Sequence, residues 1–265
     1  MSDINLIFSL HGKTAIITGA MGYLGKRMTS TLADLGCDLI LTDLPNSRDN
    51  QFISHIKSKG VDCNFYPCDI EVEVQRIKLL EKIKRSHSSV DILINNAAFV
   101  GTSSLEGWST NFDNQSTKTW RRAIEVNLTA PFEIIRFLNK AKILSSGSSV
   151  INIGSIYSFK APDYNLYEGT DINNPAAYSA SKGGLLQLTR WLSSTLAPDV
   201  RVNSISLGGI FRHQDQNFID RYTKKTPLKR MATESDIDGL IIFLSTGMSS
   251  YVTGQNIKLD GGWSI

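Results

Sequence analysis

Along the chain, short runs of Ile, Leu and Val alternate with longer stretches whose apolar residues recur every three to four positions. The short runs predict strands at Thr14–Thr18, Asp38–Thr42, Cys63–Tyr66, Ile92–Asn95, Val150–Ile153, Arg201–Ile205 and Asn256–Leu259. Several are apolar at consecutive positions, as a parallel strand buried on both faces requires. The longer stretches predict helices near Tyr23–Leu35, Gln51–Lys59, Val72–Ser86, Thr117–Leu144, Ala176–Leu196 and Glu234–Leu244. Such alternation argues for βαβ units and one doubly wound parallel sheet with helices on both faces. Three stretches break the pattern: Phe99–Ser116, Ser158–Asn174 and Gly208–Lys229. All three are expected to follow the carboxyl ends of strands, where open α/β sheets bind their ligands.

Composition narrows the class without changing that picture. With 41% hydrophobic and 20% charged residues over 265 positions, the chain is an ordinary globular sequence rather than a disordered one. No internal repeat or Pro/Ser-rich linker marks a boundary, so residues 1–265 are expected to form a single domain. The net charge of +3 is scattered, with no basic stripe of the kind nucleic-acid binders carry. Cys37, Cys63 and Cys68 show no CxxC spacing and no clustered histidines, which argues against a metal site; Cys37 and Cys63, in or near predicted strands, read as small hydrophobes. The opening residues, with Asp3 and a very short apolar run, do not resemble a signal peptide. No apolar stretch approaches a membrane span of about 18 residues, and a cytoplasmic location is expected.

The first strand runs directly into Thr18-Gly19-Ala20-Met21-Gly22-Tyr23-Leu24-Gly25, which opens the first predicted helix. A glycine-rich turn in that context lets the backbone approach a pyrophosphate, held by the amide groups and positive dipole of the helix start. A tight turn without a ligand is the plainer alternative. Asp43 ends the second strand, 18 residues beyond Gly25. A carboxylate there can accept from both hydroxyls of an adenosine ribose and would repel a 2′-phosphate. No Arg or Lys follows before Arg48, so the pattern favours NAD, with NADP open. The plainer reading of Asp43 is a strand-end residue starting a turn before Pro45.

Asn95-Asn96-Ala97-Ala98, Asn127, Ser155 and Tyr178-Ser179-Ala180-Ser181-Lys182 follow in an order that resembles the short-chain dehydrogenase/reductase family. Asp69 after the third strand and Asp260-Gly261-Gly262-Trp263 near the end extend the match from Gly12 to Trp263. Apart from any family, Tyr178 and Lys182 are four residues apart and share a helix face. An adjacent ammonium would lower the phenol's pKa and make Tyr178 a general base for an alcohol or acid for a ketone. The resemblance implies a single-domain Rossmann-like fold and an NAD(P)-dependent oxidoreductase acting on CH–OH groups. It also implies that Lys182 holds the nicotinamide ribose, Ser155 binds the reacting oxygen and Asn127 holds a water of a proton relay. Asp69 and Ile70 would then lie beside the adenine, and Asn95 would brace the sheet. Asn96 and Ala97 would line the cofactor, with Gly208-Gly209-Ile210 meeting the carboxamide. A homotetramer or homodimer is implied as well, with the Thr117–Leu144 and Ala176–Leu196 helices in one interface.

Three departures bear on function. Tyr23 stands where most single-domain members have glycine, giving TGxxGxxG, a spacing commoner among nucleotide-sugar epimerases and dehydratases. Against that chemistry, the chain ends at Ile265, which is expected to leave no room for their extra substrate domain. Leu207 replaces the usual proline before Gly208, and Ser155 lies 23 positions before Tyr178, an unusually long interval. The added residues Asp163, Tyr164, Tyr167, Glu168, Thr170, Asp171 and Asn174 suit the wall of a sugar site, or a solvated insertion or subunit contact. Tyr157, Tyr167 and Arg212 join Ser155 as candidate substrate contacts. His213, Arg221, Lys224 and Lys225 could engage an anion from a mobile lid or form an exposed helix face. The string from Ala161 through Thr170 to Asn174-Pro175 is similar to oxidoreductases of bacterial flagellin modification and legionaminic acid biosynthesis. The expectation is hydride transfer between NAD and a sugar-like alcohol or ketone. A 3-oxoacyl-thioester reductase using NADPH and a non-catalytic nucleotide-binding scaffold remain as rivals.

Overall fold

The computed structural model describes residues 7–100, 105–170 and 173–265. The expected strands all form, as β1 (Thr14–Thr18), β2 (Asp38–Asp43), β3 (Cys63–Pro67), β4 (Val90–Asn95), β5 (Leu144–Ser155), β6 (Val200–Leu207) and β7 (Asn256–Leu259). They build one seven-stranded sheet in the order β3-β2-β1-β4-β5-β6-β7, every pair parallel. Alternate residues of one strand feed opposite layers, which is why the strand sequences are apolar throughout. Ile17, Leu39 and Ile94 pack against helices α1 (Tyr23–Asp34) and α2 (Asn50–Lys57) together with α8 (Asp238–Ser245). Ile16, Ile40 and Leu93 face the other layer, made by α3 (Glu73–Ser86), α5 (Ala130–Lys140) and α6 (Ala176–Leu196).

Three elements differ from expectation. The predicted helix Thr117–Leu144 is α4 (Thr117–Ile124), a π-helical turn at Glu125–Thr129, and α5; it stops at Lys140. Leu144 instead begins β5 by pairing with Val90, and the strand runs on through a polar stretch in which Ser149 pairs with β4 and Ser148 and Ser149 pair with β6, well before its apolar centre. The stretch after Gly208 contains an unforeseen helix, α7 (Gln216–Lys225), started by the Asp215 carboxylate accepting from the Asn217 and Phe218 amides. All three cysteines are buried free thiols, raised in pKa by burial.

Arg76 ties α3 to the α4–α5 junction. It is 2% exposed, pairs with Glu125 at 2.6 Å and Glu133 at 2.8 Å, and donates to the Ile70 carbonyl. Arg76→Met should lower stability by about 2 kcal/mol, below the usual cost of breaking a fully buried pair because both carboxylates stay partly hydrated. A denaturation midpoint equal to wild type would show that the triad contributes nothing.

Candidate active site

The order of strands reverses between β1 and β4, and a cleft of about 680 Å³ opens along the carboxyl ends of the strands there. Its floor is the turn from β1 to α1. Gly19 adopts φ +64°, and a Cβ on it would lie 2.8 Å from the Ala97 Cα. A Cβ on Gly25 would come within 2.1 Å of the Gly19 carbonyl oxygen. Glycine is therefore required at both positions to keep the turn flat against β4. Asn96 braces it from the side, donating through Nδ2 to the carbonyls of Thr18 and Gly19 at 3.0 and 2.9 Å. The Thr18 hydroxyl accepts from the amides of Asn96 and Ala97. Arg122 is a site residue with no distinct sequence signal, reaching the cleft only because α4 docks beside Glu71.

Asp43 closes one end of the cleft. Its Oδ2 accepts from the Met21 amide at 2.7 Å and its Oδ1 from the Leu44 amide at 2.7 Å, which aims the carboxylate along the cleft wall. Met21 thus serves the turn through its backbone, whereas Gly22, Tyr23 and Leu24 line the cleft directly. Asp69, Ile70 and Ala97 flank the same end, and Asn95 donates to Asn152 at 2.8 Å, bracing β4 against β5.

The opposite end carries the titratable groups. Ser155 sits at the end of β5, and Tyr178 and Lys182 project from one face of α6. Lys182 Nζ donates to the Ile153 carbonyl at 2.8 Å and lies 5.9 Å from the centre of the Tyr178 ring. Burial lowers the Lys182 pKa to about 8. Burial also raises the Tyr178 pKa, opposed by a hydrogen bond with Ser155. The expected lowering of Tyr178 by Lys182 is thus reversed, because burial of the phenol disfavours its charged form.

Several expected contacts fall elsewhere. The Asn127 side chain is fully buried and occupied: its Oδ1 accepts from the Phe99 amide at 2.6 Å and its Nδ2 donates to Ser181 Oγ at 3.0 Å. Its amide braces the loop after β4 and is not presented to the cleft; it lies within the π-helical turn, a distortion frequent at functional sites. Gly208 and Ile210 line the cleft, but Gly209 turns away, its amide donating to the Tyr222 hydroxyl at 2.5 Å. Arg212 lies over the Tyr23 ring at the glycine turn rather than beside Ser155. Tyr157 and Tyr167 hydrogen-bond to each other through their hydroxyls, and Tyr167 also bonds Asn174. Asp171, expected on this wall, lies outside the described residues, as does Asp3.

The basic residues after Gly208 have a role that neither sequence alternative anticipates. Arg221 donates to the carbonyls of Asn165 and Glu168, and Lys225 pairs with Asp163 at 2.7 Å. Together with Tyr167 against Phe218, at 5.6 Å between ring centres, they fasten the added segment to α7.

A cradle that admits no Cβ, a carboxylate at one end and a buried Tyr/Lys/Ser set at the other together fit an extended dinucleotide with its reactive ring beside Tyr178. Comparison with known proteins agrees. A family model described as enoyl-(acyl carrier protein) reductase matches residues 19–264. A 3-oxoacyl-(acyl-carrier-protein) reductase from Buchnera aphidicola is 30% identical, over 94% of this chain and 96% of its own. Among solved structures, a short-chain dehydrogenase from Leptospira borgpetersenii with bound NAD+ superposes with TM-score 0.83 at 28% identity, covering 100% and 97% of the two chains. A provisionally assigned NAD(P)-dependent gluconate 5-dehydrogenase from Beutenbergia cavernae, with NADP at low occupancy, gives TM-score 0.84 at 28% identity over 97% and 98%. With the motif order, the sheet topology and the matched length all in agreement, this chain belongs to the short-chain dehydrogenase/reductase family of NAD(P)-binding oxidoreductases.

Proposed function

We propose that the protein transfers hydride between NAD(H) and a secondary alcohol or ketone of a polar, sugar-like substrate, with Tyr178 as the proton-transfer group. The observation that carries this reading is that Tyr178, Ser155 and Lys182 line the same continuous cleft as the glycine turn and Asp43. The bound nicotinamide supplies the hydride acceptor or donor. In oxidation, Tyr178 takes the hydroxyl proton while Ser155 holds the reacting oxygen. Lys182 positions the ribose end of the cofactor and offsets charge on Tyr178. Asn127 holds the segment around Phe99. Met21, Gly22, Tyr23, Leu24, Asn96 and Ala97 frame the cofactor's middle, and Asp69 and Ile70 its adenine.

NAD is the cofactor favoured here because Asp43 lines the adenosine end and the cations lining the cleft are Arg122, Lys182 and Arg212. Arg122 is engaged by both Glu71 oxygens, at 2.7 and 2.9 Å, and so offers little to a 2′-phosphate. The sugar preference rests on the segment beyond Ser155. It carries Asp163, Tyr164, Glu168 and Asn174, polar and aromatic side chains that suit a hydroxyl-rich ligand better than an acyl chain, while the hydroxyls of Tyr157 and Tyr167 are bonded to each other. One observation favours a second reading, the thioester reductase. Ile156, Phe218, Met231 and Trp263 form a buried apolar cluster behind these tyrosines, and the Buchnera relative bears that name. For assembly we propose a homotetramer or homodimer in the cytoplasm; Trp120 and Trp191 are exposed on α4 and α6, where a partner could cover them.

The test is NADH absorbance with sugars, sugar phosphates, nucleotide sugars and an acetoacetyl thioester, using NAD and NADP in parallel. Turnover of a sugar with NAD is expected, and turnover confined to the thioester with NADPH would replace this reading with the second. In the same assay Asp43→Asn keeps an acceptor for the Met21 amide but loses the charge. A charge-assisted hydrogen bond contributes about 1.5–3 kcal/mol, so the NAD:NADP ratio of kcat/KM should fall roughly ten- to hundredfold. An unchanged ratio would remove Asp43 from cofactor selection.

A further inference from the structure

Tyr23 and Arg212 meet across the cleft in a way that neither the catalytic set nor the glycine turn explains. Tyr23 is the first residue of α1 and is 72% exposed. Arg212 comes from the segment after β6, and its guanidinium carbon stands 4.6 Å from the centre of the Tyr23 ring. Both side chains line the cleft with Gly19 and Gly22.

The guanidinium is held, not trailing in solvent. Its Nη1 donates to the Phe211 carbonyl at 2.7 Å, it pairs with Glu234, and its own amide donates to Gln214 Oε1 at 2.8 Å. On the opposite side, Gly22 caps α1 with no side-chain hydrogen bond, and no acidic residue lies in the first turn. Within the helix's own first turn, then, no side chain supplies an anion, and the Asp43 carboxylate is bonded to the Met21 amide just before the cap. Each of the three cations lining the cleft has a partner within the chain: Arg122 pairs with Glu71, Lys182 donates to the Ile153 carbonyl, and Arg212 pairs with Glu234. Arg212 is the one beside the glycine turn.

We propose that Arg212, stacked on Tyr23, is a cofactor-positioning residue that forms a clasp over the diphosphate of the dinucleotide. The planar fork of Arg suits phosphate oxygens, and the ring beneath limits the side-chain freedom that binding would otherwise remove. Glu234 sets the direction of the guanidinium. The aromatic residue in the glycine turn then has a function, since it is the platform for a cation arriving from the other half of the sheet. This proposal rests on the cofactor reading above.

Titration of the full-length protein with ADP-ribose, which has the diphosphate but no nicotinamide, tests it by calorimetry without any turnover. Arg212→Met should weaken ADP-ribose binding at least tenfold and flatten its dependence on salt, because a phosphate contact has been removed. Arg212→Lys, which keeps the charge but not the fork, should recover part of that loss. Tyr23→Leu should weaken binding severalfold, and adding it to Arg212→Met should cost little more, because the ring acts through the arginine. Wild-type affinity for ADP-ribose in Arg212→Met overturns the clasp. So does a rise in the substrate KM of that variant with ADP-ribose affinity intact, which would place Arg212 on the substrate. If the wild-type protein itself binds neither ADP-ribose nor NADH, the underlying cofactor reading has failed, a result distinct from a clasp variant that binds normally.

Discussion

Tyr178→Phe should lower kcat by roughly 10²–10⁴-fold, the usual worth of a positioned acid or base, while NADH affinity stays within about twofold. The substitution removes one oxygen and keeps the ring, so α6 retains its packing against the loop after β4, where Tyr178 contacts the cluster of Trp108, Ala123 and Ala177. Lys182 remains bonded to the Ile153 carbonyl at 2.8 Å. The group lost is the one that exchanges the proton, so binding and chemistry should separate cleanly. Stopped-flow or steady-state turnover together with an NADH fluorescence titration measures both quantities on the same sample. A variant that turns over like wild type would move the proton transfer to another residue. The direction of the Tyr178 shift also fixes a sign: burial holds the phenol protonated, so oxidation should speed up as pH rises.

Gly25→Ala should abolish measurable cofactor binding, a loss of at least about a hundredfold, and destabilise the fold by about 3 kcal/mol, the upper part of the range for overpacking. The new methyl would lie 2.1 Å from the Gly19 oxygen and 2.7 Å from the Ala20 Cα, and both neighbours are backbone, so neither can swing aside. Either α1 lifts from the sheet or the glycine turn moves toward the cleft; both displace the amides that face the diphosphate. Gly239→Ala is the matching control, since a Cβ there meets nothing within 4 Å and Ala favours a helix. NADH titration and thermal unfolding of the pair check the prediction. A Gly25→Ala protein that binds NADH like the control would show that the close approach is not needed.

Local chemistry made much of this legible in advance. Apolar runs mark strands buried on both faces wherever they fall, so β1, β2, β4 and β6 are readable from Ile16, Ile40, Leu93 and Val202. The glycine turn is legible because only glycine tolerates the approach at Gly19 and Gly25. Tyr178 and Lys182 share a face because helical geometry puts residues four apart together. Less was readable where a residue's fate depends on what arrives from far along the chain. The amino-terminal half of β5 is polar, and pairing with β4 and β6 alone makes it a strand. Helix α7 resembles a charged loop until Phe218 and Tyr222 are seen packed against Trp263 and Tyr167.

The amino-acid order by itself determined the layered α/β architecture, the glycine cradle and the chemical identity of the Ser155, Tyr178 and Lys182 set. The first two follow from periodicity and near-neighbour sterics and the Tyr178–Lys182 pairing from helical spacing, whereas Ser155 is legible only through the resemblance of the motif order to the family. Tertiary structure decided where each charge is placed. Arg221 and Lys225 are used to fasten the added segment, whereas Arg212 is delivered to Tyr23 across 188 intervening positions. It also decided that Tyr178 is raised rather than lowered in the protein alone, because burial is a property of the assembled core and outweighs the i, i+4 spacing that brings Lys182 near. The physical reason is common to both cases: spacing along a chain specifies which groups can meet, but desolvation and long-range pairing, set only when the sheet closes, determine what state they meet in.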